Sequence, residues 1–471
     1  MTLRPLTDAD IDVLTGMLGE EAVAVDERSL NRASGDHLAD PAYRRRPACI
    51  VRPANAGEVC ELLRWANREA VAVTTRGAGS GLAAGCVPEA GGLVLEMKRL
   101  KRIVEIDPID RVAVVEAGVV TGALDRALEP YGLYFAGYPM SSAVSQIGGN
   151  IATNAGGGRA VKYGVTGRHV LSVEVVTGAG EHRVFGGRRR KDVVGYDLRS
   201  LMIGSEGTLG VIVGATVSLL PRPKSYCALL AGFDTPEQAI QVMSDAMQSS
   251  GALFSAVEVM DEYCIELGAS TRRTPPPLVA PWTILFEADG SDEREAASLI
   301  ENTAALCGDT AVRVLGPDQG KQREQWWAIR ESIPWALKRQ SSLQGVEDIS
   351  LPISRLASVL QRMREIAATH RLSVPAFGHL GDGNMHIHPM IVGEAADGVG
   401  AEEWKRRERA FLREFYPVIV DAGGTISGEH GVGGKRVDYL DLVLGPEYRR
   451  LLRGVKQVFD PNGILNPGKA I

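Results

Sequence analysis

No run in the 471 residues reaches about 18 consecutive apolar side chains, so no membrane-spanning helix is encoded. A basic excess is missing too: 52 Lys and Arg face 58 Asp and Glu, and the net charge of −6 excludes a general binder of nucleic acid. Cysteine is sparse. The six copies (Cys49, Cys60, Cys86, Cys227, Cys264, Cys307) lie far apart with no C-x-x-C, which excludes a zinc ribbon and an iron–sulfur ligand run and points to reduced thiols in the cytoplasm. Near the start, Asp8, Asp10 and Asp12 stand where a secretion signal would be apolar and a transit peptide acid-poor. No repeat of about 20 to 50 residues indicates a solenoid. The expected location is cytoplasmic, with any membrane contact peripheral or through a partner.

Glycine is what the chain has in excess: 54 of 471, about 11% against a usual ~7%, gathered in a few segments. Hydrophobic residues at 45% and charged ones at 23% are globular values, and the length exceeds one compact core, so two or more domains are expected. Up to about Pro221, short apolar strands at 71–75, 93–97, 112–115, 171–176 and 209–219 alternate with helical patterns at 58–68 and 122–131. Pro221-Arg222-Pro223 marks a boundary. Beyond it, a strand at 226–232, a helix at 236–248, strands at 256–260 and 282–287 and a helix at 292–307 follow the β-α-β-β-α-β rhythm of a ferredoxin-like layer. Helices around 401–420 and 446–458 come last.

Three glycine segments stand out. The first, Arg76-Gly77-Ala78-Gly79-Ser80-Gly81-Leu82, follows a strand as a dinucleotide fingerprint would, but Pro88 and Gly91-Gly92 leave no room for the helix a Rossmann site needs. No Gly-Lys-Ser/Thr follows, which excludes a P-loop. A strand-loop-strand whose N–H groups converge as an anion nest remains. The second runs from Gly137 through Pro139-Met140-Ser141, Gly148-Gly149-Asn150 and Thr153-Asn154 to Gly156-Gly157-Gly158; its small polar side chains suit a flat, polar-edged ligand. The third is Gly204-Ser205-Glu206-Gly207-Thr208-Leu209-Gly210-Val211-Ile212.

Histidine supplies a second constellation, with four of the eight copies (His379, His386, His388, His430) between 379 and 430. After the Gly381-Asp382-Gly383-Asn384 turn, His386 and His388 alternate with Met385 and Ile387 as on a strand, so both rings share a face. Ser427-Gly428-Glu429-His430-Gly431 presents a carboxylate and an imidazole between glycines. Two imidazoles and one carboxylate leave open coordination positions, as catalytic zinc requires, and manganese or non-haem iron fit the same ligands. Upstream, Trp326-Trp327-Ala328-Ile329-Arg330-Glu331 has a helical pattern, and an arginine fork on a helix suits a carboxylate. The basic run Arg188-Arg189-Arg190-Lys191 is read as a solvated surface loop.

On these motifs the chain resembles the FAD-linked oxidases with a vanillyl-alcohol-oxidase type of flavin domain, and among them the D-2-hydroxyacid dehydrogenases. The resemblance runs from about Arg46 to the terminal Asn466-Pro467-Gly468-Lys469. It implies an α+β fold: a two-subdomain FAD-binding domain over 1–221, a ferredoxin-like α+β substrate or cap domain over 222–425, and a segment 426–471 returning to the FAD domain. It implies that residues 76–82 hold the FAD pyrophosphate. Pro139, Met140, Ser141, Gly148, Gly149, Asn150, Thr153, Asn154 and Gly156 would line the ribityl and isoalloxazine. Glu206, Gly210 and Ile212 would lie by the adenosine end, and Asn466 would return to the flavin. With no His or Cys in Arg76–Gly81, the FAD is expected to be non-covalent.

The resemblance further implies that His379, His386 and Glu429 bind a divalent metal, zinc first, and that His430 is the catalytic base. His388, where the 2-hydroxyglutarate enzymes carry an asparagine, and Arg330 would meet the substrate. Pro334 and Val346 replace polar residues of those enzymes, which favours a substrate with no distal carboxylate. The implied reaction is oxidation of D-lactate or glycolate to the 2-oxo acid, with hydride transfer to flavin N5. A quinone, cytochrome or electron-transfer flavoprotein would accept the electrons, and a homodimer is the default assembly. The alternatives are a D-2-hydroxyglutarate dehydrogenase anchored by Lys338 or Arg339, a flavin subunit of an electron-transfer complex, and a flavin-free metallohydrolase.

Overall fold

The computed structural model describes residues 2–38 and 40–471; Met1, where the expected first domain begins, lies outside them. Two compact units divide the chain. The first comprises residues 1–156, 165–222 and 429–471, and the second 157–164 and 223–428. Residues 157–164, expected in the first domain, thus belong to the second unit.

The first unit carries a two-stranded ladder of Leu133–Tyr134 with Leu220–Pro221 and two larger sheets. One has the strand order Val23–Ala24, Cys49–Val51, Leu93–Glu96, Val73–Arg76, with the last three parallel. Cys49–Val51 and Leu93–Glu96 are buried at every position, the continuous apolar pattern of a sheet covered on both faces. The helix Ala56–Glu69 covers it, capped by the Asn55 side chain on Glu58 N–H and burying Val59, Leu62, Leu63 and Trp65 against the strands. Residues 77–92 join two parallel strands without a helix, so the first glycine segment is a loop at a strand end. The second sheet is antiparallel, in the order Ile103–Asp107, Val112–Glu116, Val211–Ser218, Val170–Val176, His182–Gly186. The basic run 188–191 is exposed beyond its last strand, and Arg188 pairs there with Glu105.

The second unit is built on a seven-stranded antiparallel sheet. Its order is Arg313–Asp318, Ser225–Phe233, Trp282–Gly290, Ala256–Asp261, Ala376–His379, Asn384–Ile387, Glu347–Ser350. The first four strands follow the ferredoxin-like order, fourth, first, third, second along the chain. Two features were not read from the sequence: the helix Glu262–Thr271 inserted between the second and third strands, and the strands Ala376–His379 and Glu347–Ser350, which flank the expected histidine strand Asn384–Ile387. Helices Glu262–Thr271 and Lys321–Gln340 share one core with Ala228, Leu230, Leu285 and Phe377 of the sheet. Among the described residues, no helix is long and apolar enough to cross a membrane.

Segment 157–164 is held by charge. Arg159 reaches Glu287 at 2.9 Å and stacks on the Tyr226 and Trp327 rings, while Tyr163 donates to Asp289 at 2.7 Å beside Lys162. Glu287 is fully buried and also accepts from Arg323 (2.8 Å) and Trp327 Nε1 (2.6 Å). Removing one cation from a buried, charge-assisted cluster costs on the order of 2 kcal/mol. Arg159→Ala should therefore lower the denaturant midpoint followed by tryptophan fluorescence, and an unchanged midpoint would show that the segment is not held by this pair.

Candidate active site

In the first unit the three glycine segments gather around a few buried polar groups. The Cβ position of Gly77 lies 3.7 Å from Gly149 Cα and 3.4 Å from Gln146 Oε1, which brings the first segment onto the second. Arg76 does not point outward: its guanidinium donates to Gly35 O (2.8 Å) and contacts Cys86 Sγ. It also lies across Gly79, whose φ of +74° and lack of a side chain are both required, because a Cβ there would sit 2.0 Å from Arg76 Nη2. The backbone of residues 77–82 is therefore what this loop offers to an anion. Asp36 holds the next turn by accepting from Ala84 N–H (2.7 Å) and Leu38 N–H (3.0 Å).

Farther along, Pro139 and Ser141 accept turn hydrogen bonds, and Met140 is exposed. Gly148, Gly149, Asn150 and Thr153 form the helix Ile147–Thr153, where Asn150 donates to Thr121 Oγ1 at 2.7 Å and Thr153 to Gly149 O. Asn154 closes that helix in the left-handed region and takes Gly167 N–H at 2.8 Å. The Cβ position of Gly156 is 2.6 Å from Glu429 Oε2, so the second glycine segment ends against Glu429. Gly210 and Ile212 lie buried at the start of the strand Val211–Ser218.

Glu206 has a role that its position in the third segment did not reveal. Its carboxylate accepts from Val432 N–H (2.8 Å) and Gly433 N–H (2.7 Å), directly after His430. Burial pushes this carboxyl up, against the pull of those two donors. Asn466 donates to Glu206 O (2.7 Å) and Gly85 O (2.9 Å), tying the chain's end to the first and third glycine segments. Gly433, at φ +53°, approaches Ala83 so closely that a Cβ would lie 1.8 Å from its carbonyl oxygen. Three buried polar atoms bordering these segments, Thr75 Oγ1, Gln146 Oε1 and Asn466 Oδ1, have no hydrogen-bond partner. Such orphans are rare in a finished interior and fit a cradle whose polar partner is a nucleotide.

In the second unit, His379 and His386 lie on neighbouring strands with their Nε2 atoms 3.4 Å apart. That is long for a hydrogen bond, whereas two nitrogens at about 2.05 Å from one tetrahedral zinc stand about 3.3 Å apart. The donor set fits a metal. His379 Nδ1 meets Glu258 Oε1 at 2.7 Å, and Glu258 Oε2 meets Arg330 Nη2 at 2.7 Å. Burial pushes Glu258 up, but the positive charge and hydrogen bonds of His379 and Arg330 outweigh it and hold the carboxyl below its ordinary range. Arg330, 2% exposed, lies over the Phe377 ring at 4.6 Å, and its Nε has no hydrogen-bond partner. Phe377 also contacts His386 (5.3 Å) and His388 (5.5 Å), so both rings share a face as their alternation requires.

Asp348 completes this unit's cluster. It takes Asn384 Nδ2 (2.7 Å), Ser427 Oγ (3.0 Å) and Gly428 N–H (2.9 Å), and its Oδ1 is 3.8 Å from His386 Nδ1. Glu429 and His430 follow Gly428 at once, as the first residues of the chain's return to the first unit, with His430 Nε2 3.9 Å from Glu429 Oε1. Lys338 and Arg339, the alternative carboxylate anchors, are exposed at the C-terminal end of the helix Lys321–Gln340, where Lys338 lies over the Trp335 ring, whereas Trp326, Trp327 and Arg330 are buried.

Residues 47–186 match the FAD binding domain family, and residues 222–470 match the family described as FAD linked oxidases, C-terminal domain. The chain belongs to the FAD-linked oxidases. This FAD-linked oxidase is 36% identical over 446 residues to glycolate oxidase subunit GlcD of Bacillus subtilis, covering 94% of this chain and 93% of the relative. It is 34% identical over 425 residues to a D-lactate dehydrogenase of Archaeoglobus fulgidus, with coverages of 90% and 91%. A D-2-hydroxyglutarate dehydrogenase of Stutzerimonas stutzeri is 32% identical over 472 residues, with 98% and 99% covered. In fold alone it resembles p-cresol methylhydroxylase (TM-score 0.79, 17% identity, 100% and 98% covered) and 4-ethylphenol oxidase of Gulosibacter chungangensis (0.78, 19%, 100% and 98%). The protein is an FAD-dependent oxidoreductase with the α+β architecture of the vanillyl-alcohol-oxidase type.

Burial pushes Asp36 up to about 6, against the N–H groups of Leu38 and Ala84 and the charge of Arg76. The folded protein thus keeps a proton that the unfolded chain releases. The resulting stabilisation is full below about pH 4 and lost as the pH rises through about 6, for up to about 3 kcal/mol. Asp36→Asn should flatten the denaturant midpoint of the flavin-free protein between pH 4 and pH 7 relative to wild type; parallel profiles would rule out Asp36 as the source.

Proposed function

We propose that this FAD-linked oxidase oxidises a small D-2-hydroxy monocarboxylate, D-lactate or glycolate, to the 2-oxo acid, with His379, His386 and Glu429 holding a divalent metal. The observation that carries the reading is the facing pair of imidazole Nε2 atoms at 3.4 Å beside a buried arginine. Chain continuity supports the third ligand, because Glu429 follows Gly428, whose N–H is fixed by the Asp348 carboxylate beside His386. Bound FAD, held without a covalent link, supplies the two-electron acceptor, and the metal supplies Lewis acidity at the 2-hydroxyl.

The chain's own residues do the rest. The guanidinium of Arg330, with its buried Nε still lacking an acceptor, takes the substrate carboxylate from its free edge. His430 removes the hydroxyl proton, and the bonds from Val432 and Gly433 N–H to Glu206 keep its loop from drifting. His388, stacked on Phe377, borders the same buried surface and contributes polar contact to the substrate. A monocarboxylate is favoured because Lys338 and Arg339 are exposed while Arg330 is buried, and because Pro334 and Val346 offer no polar side chain to a second carboxylate.

Anaerobic addition of D-lactate or glycolate should bleach the flavin, whereas D-2-hydroxyglutarate and L-lactate should act far more slowly. A chelator should suppress the bleaching, and zinc or manganese should restore it. Faster reduction by D-2-hydroxyglutarate would transfer the assignment to the dicarboxylate. His430→Ala should lose roughly 10²- to 10⁴-fold in the rate of flavin reduction while keeping the oxidised flavin spectrum; near wild-type reduction would remove His430 from the role of base.

A further inference from the structure

We propose that Glu258 is a positioning residue that fixes the tautomer of His379 through one carboxylate oxygen and the place of Arg330 through the other, so that metal retention depends on a side chain that is not itself a ligand. The proposal rests on the metal centre proposed above.

The geometry is specific. Glu258 is the one ionisable side chain among Ala256–Met260 on a strand buried at every position, and it is itself fully buried. A carboxylate accepts and does not donate, so at 2.7 Å from Oε1 the Nδ1 of His379 carries the proton. A neutral imidazole then has its lone pair on Nε2, the atom that faces His386. Without this bond the ring could place its proton on Nε2 and present a donor where a metal needs a ligand. At His386 the carboxylate of Asp348 stands farther off, with Oδ1 3.8 Å from Nδ1, outside hydrogen-bond range.

The second oxygen explains how such a carboxylate is tolerated. Oε2 meets Arg330 Nη2 at 2.7 Å, and each buried charge answers the other. Arg330 is thereby held flat over Phe377, whose ring touches both His386 and His388. Gly158 packs against the same carboxylate, since a Cβ there would lie 2.8 Å from Glu258 Oε1. The bland alternative is that Glu258 is only the counter-ion of Arg330. In that case it would affect folding but not the metal.

The test uses the full chain loaded with FAD, with zinc affinity measured by competition against a chromophoric chelator while flavin absorbance and melting temperature report folding. Glu258→Leu, which removes both acceptor oxygens, should bind zinc roughly 10- to 100-fold more weakly than wild type, with its flavin retained. Affinity within about twofold of wild type would overturn the proposal. If Glu258→Leu fails to fold because Arg330 is left unpaired, the double variant Glu258→Leu/Arg330→Met removes both charges and decides the matter. Weakened zinc binding in a folded double variant supports a role at His379, and recovered affinity reduces Glu258 to a counter-ion. A wild-type protein that binds no zinc, manganese or iron would instead sink the metal centre itself, whatever Glu258 does.

Discussion

Two backbone N–H groups on one buried carboxylate hold the first unit's chemistry in register. Glu206 lies where water cannot satisfy it, so losing the bonds from Val432 and Gly433 would leave a carboxyl group and two amide donors without partners in the interior. That penalty keeps the segment after His430 in one conformation. The main chain of Glu206 is used as well, because its carbonyl anchors Asn466, which in turn grips Gly85. The first glycine loop, the segment after His430 and the end of the chain therefore meet at one residue, and none can shift without loosening the others.

The same device recurs with different partners. Asp36 steadies the nest through two amides, Glu287 answers two arginines and an indole, Asp348 fixes the approach to Glu429, and Glu258 divides itself between an imidazole and a guanidinium. Each replaces mobile water with a fixed dipole or charge near a place where chemistry is proposed. Groups oriented in advance need not reorganise when charge develops on a substrate, which is where enzymes gain most of their electrostatic advantage.

Much of this was legible from local pattern. Glycine spacing without a following helix marked the loop 77–92, and Pro221-Arg222-Pro223 marked the passage to the ferredoxin-like strands, because turns and strand ends are set by a residue's own backbone preferences. The alternation of His386 and His388 with Met385 and Ile387 likewise announced a shared face. Glu258 and Asp348 escaped notice for a physical reason: their partners lie far away in the chain, at a sequence separation of 121 from Glu258 to His379 and 80 from Asp348 to Gly428. For Glu258 the available sign was a carboxylate between the apolar residues Val257 and Val259, which must have a donor or a cation to be buried at all. Glu206 was singled out for its glycine surroundings, but nothing local says that its acceptors are used by a loop some 226 residues later.

The placement of residues 157–164 has a consequence for how such a protein can be altered by recombination. The chain leaves the first unit, contributes Arg159, Lys162 and Tyr163 to the carboxylates of the second, and returns before it finally crosses near residue 222. A single crossover at that later boundary would pair Glu287 and Asp289 from one parent with the 157–164 segment of another. A chimera that exchanges the second unit between relatives must therefore carry residues 157–164 along with 223–428, so the heritable cassette is discontinuous in the gene although it is compact in space.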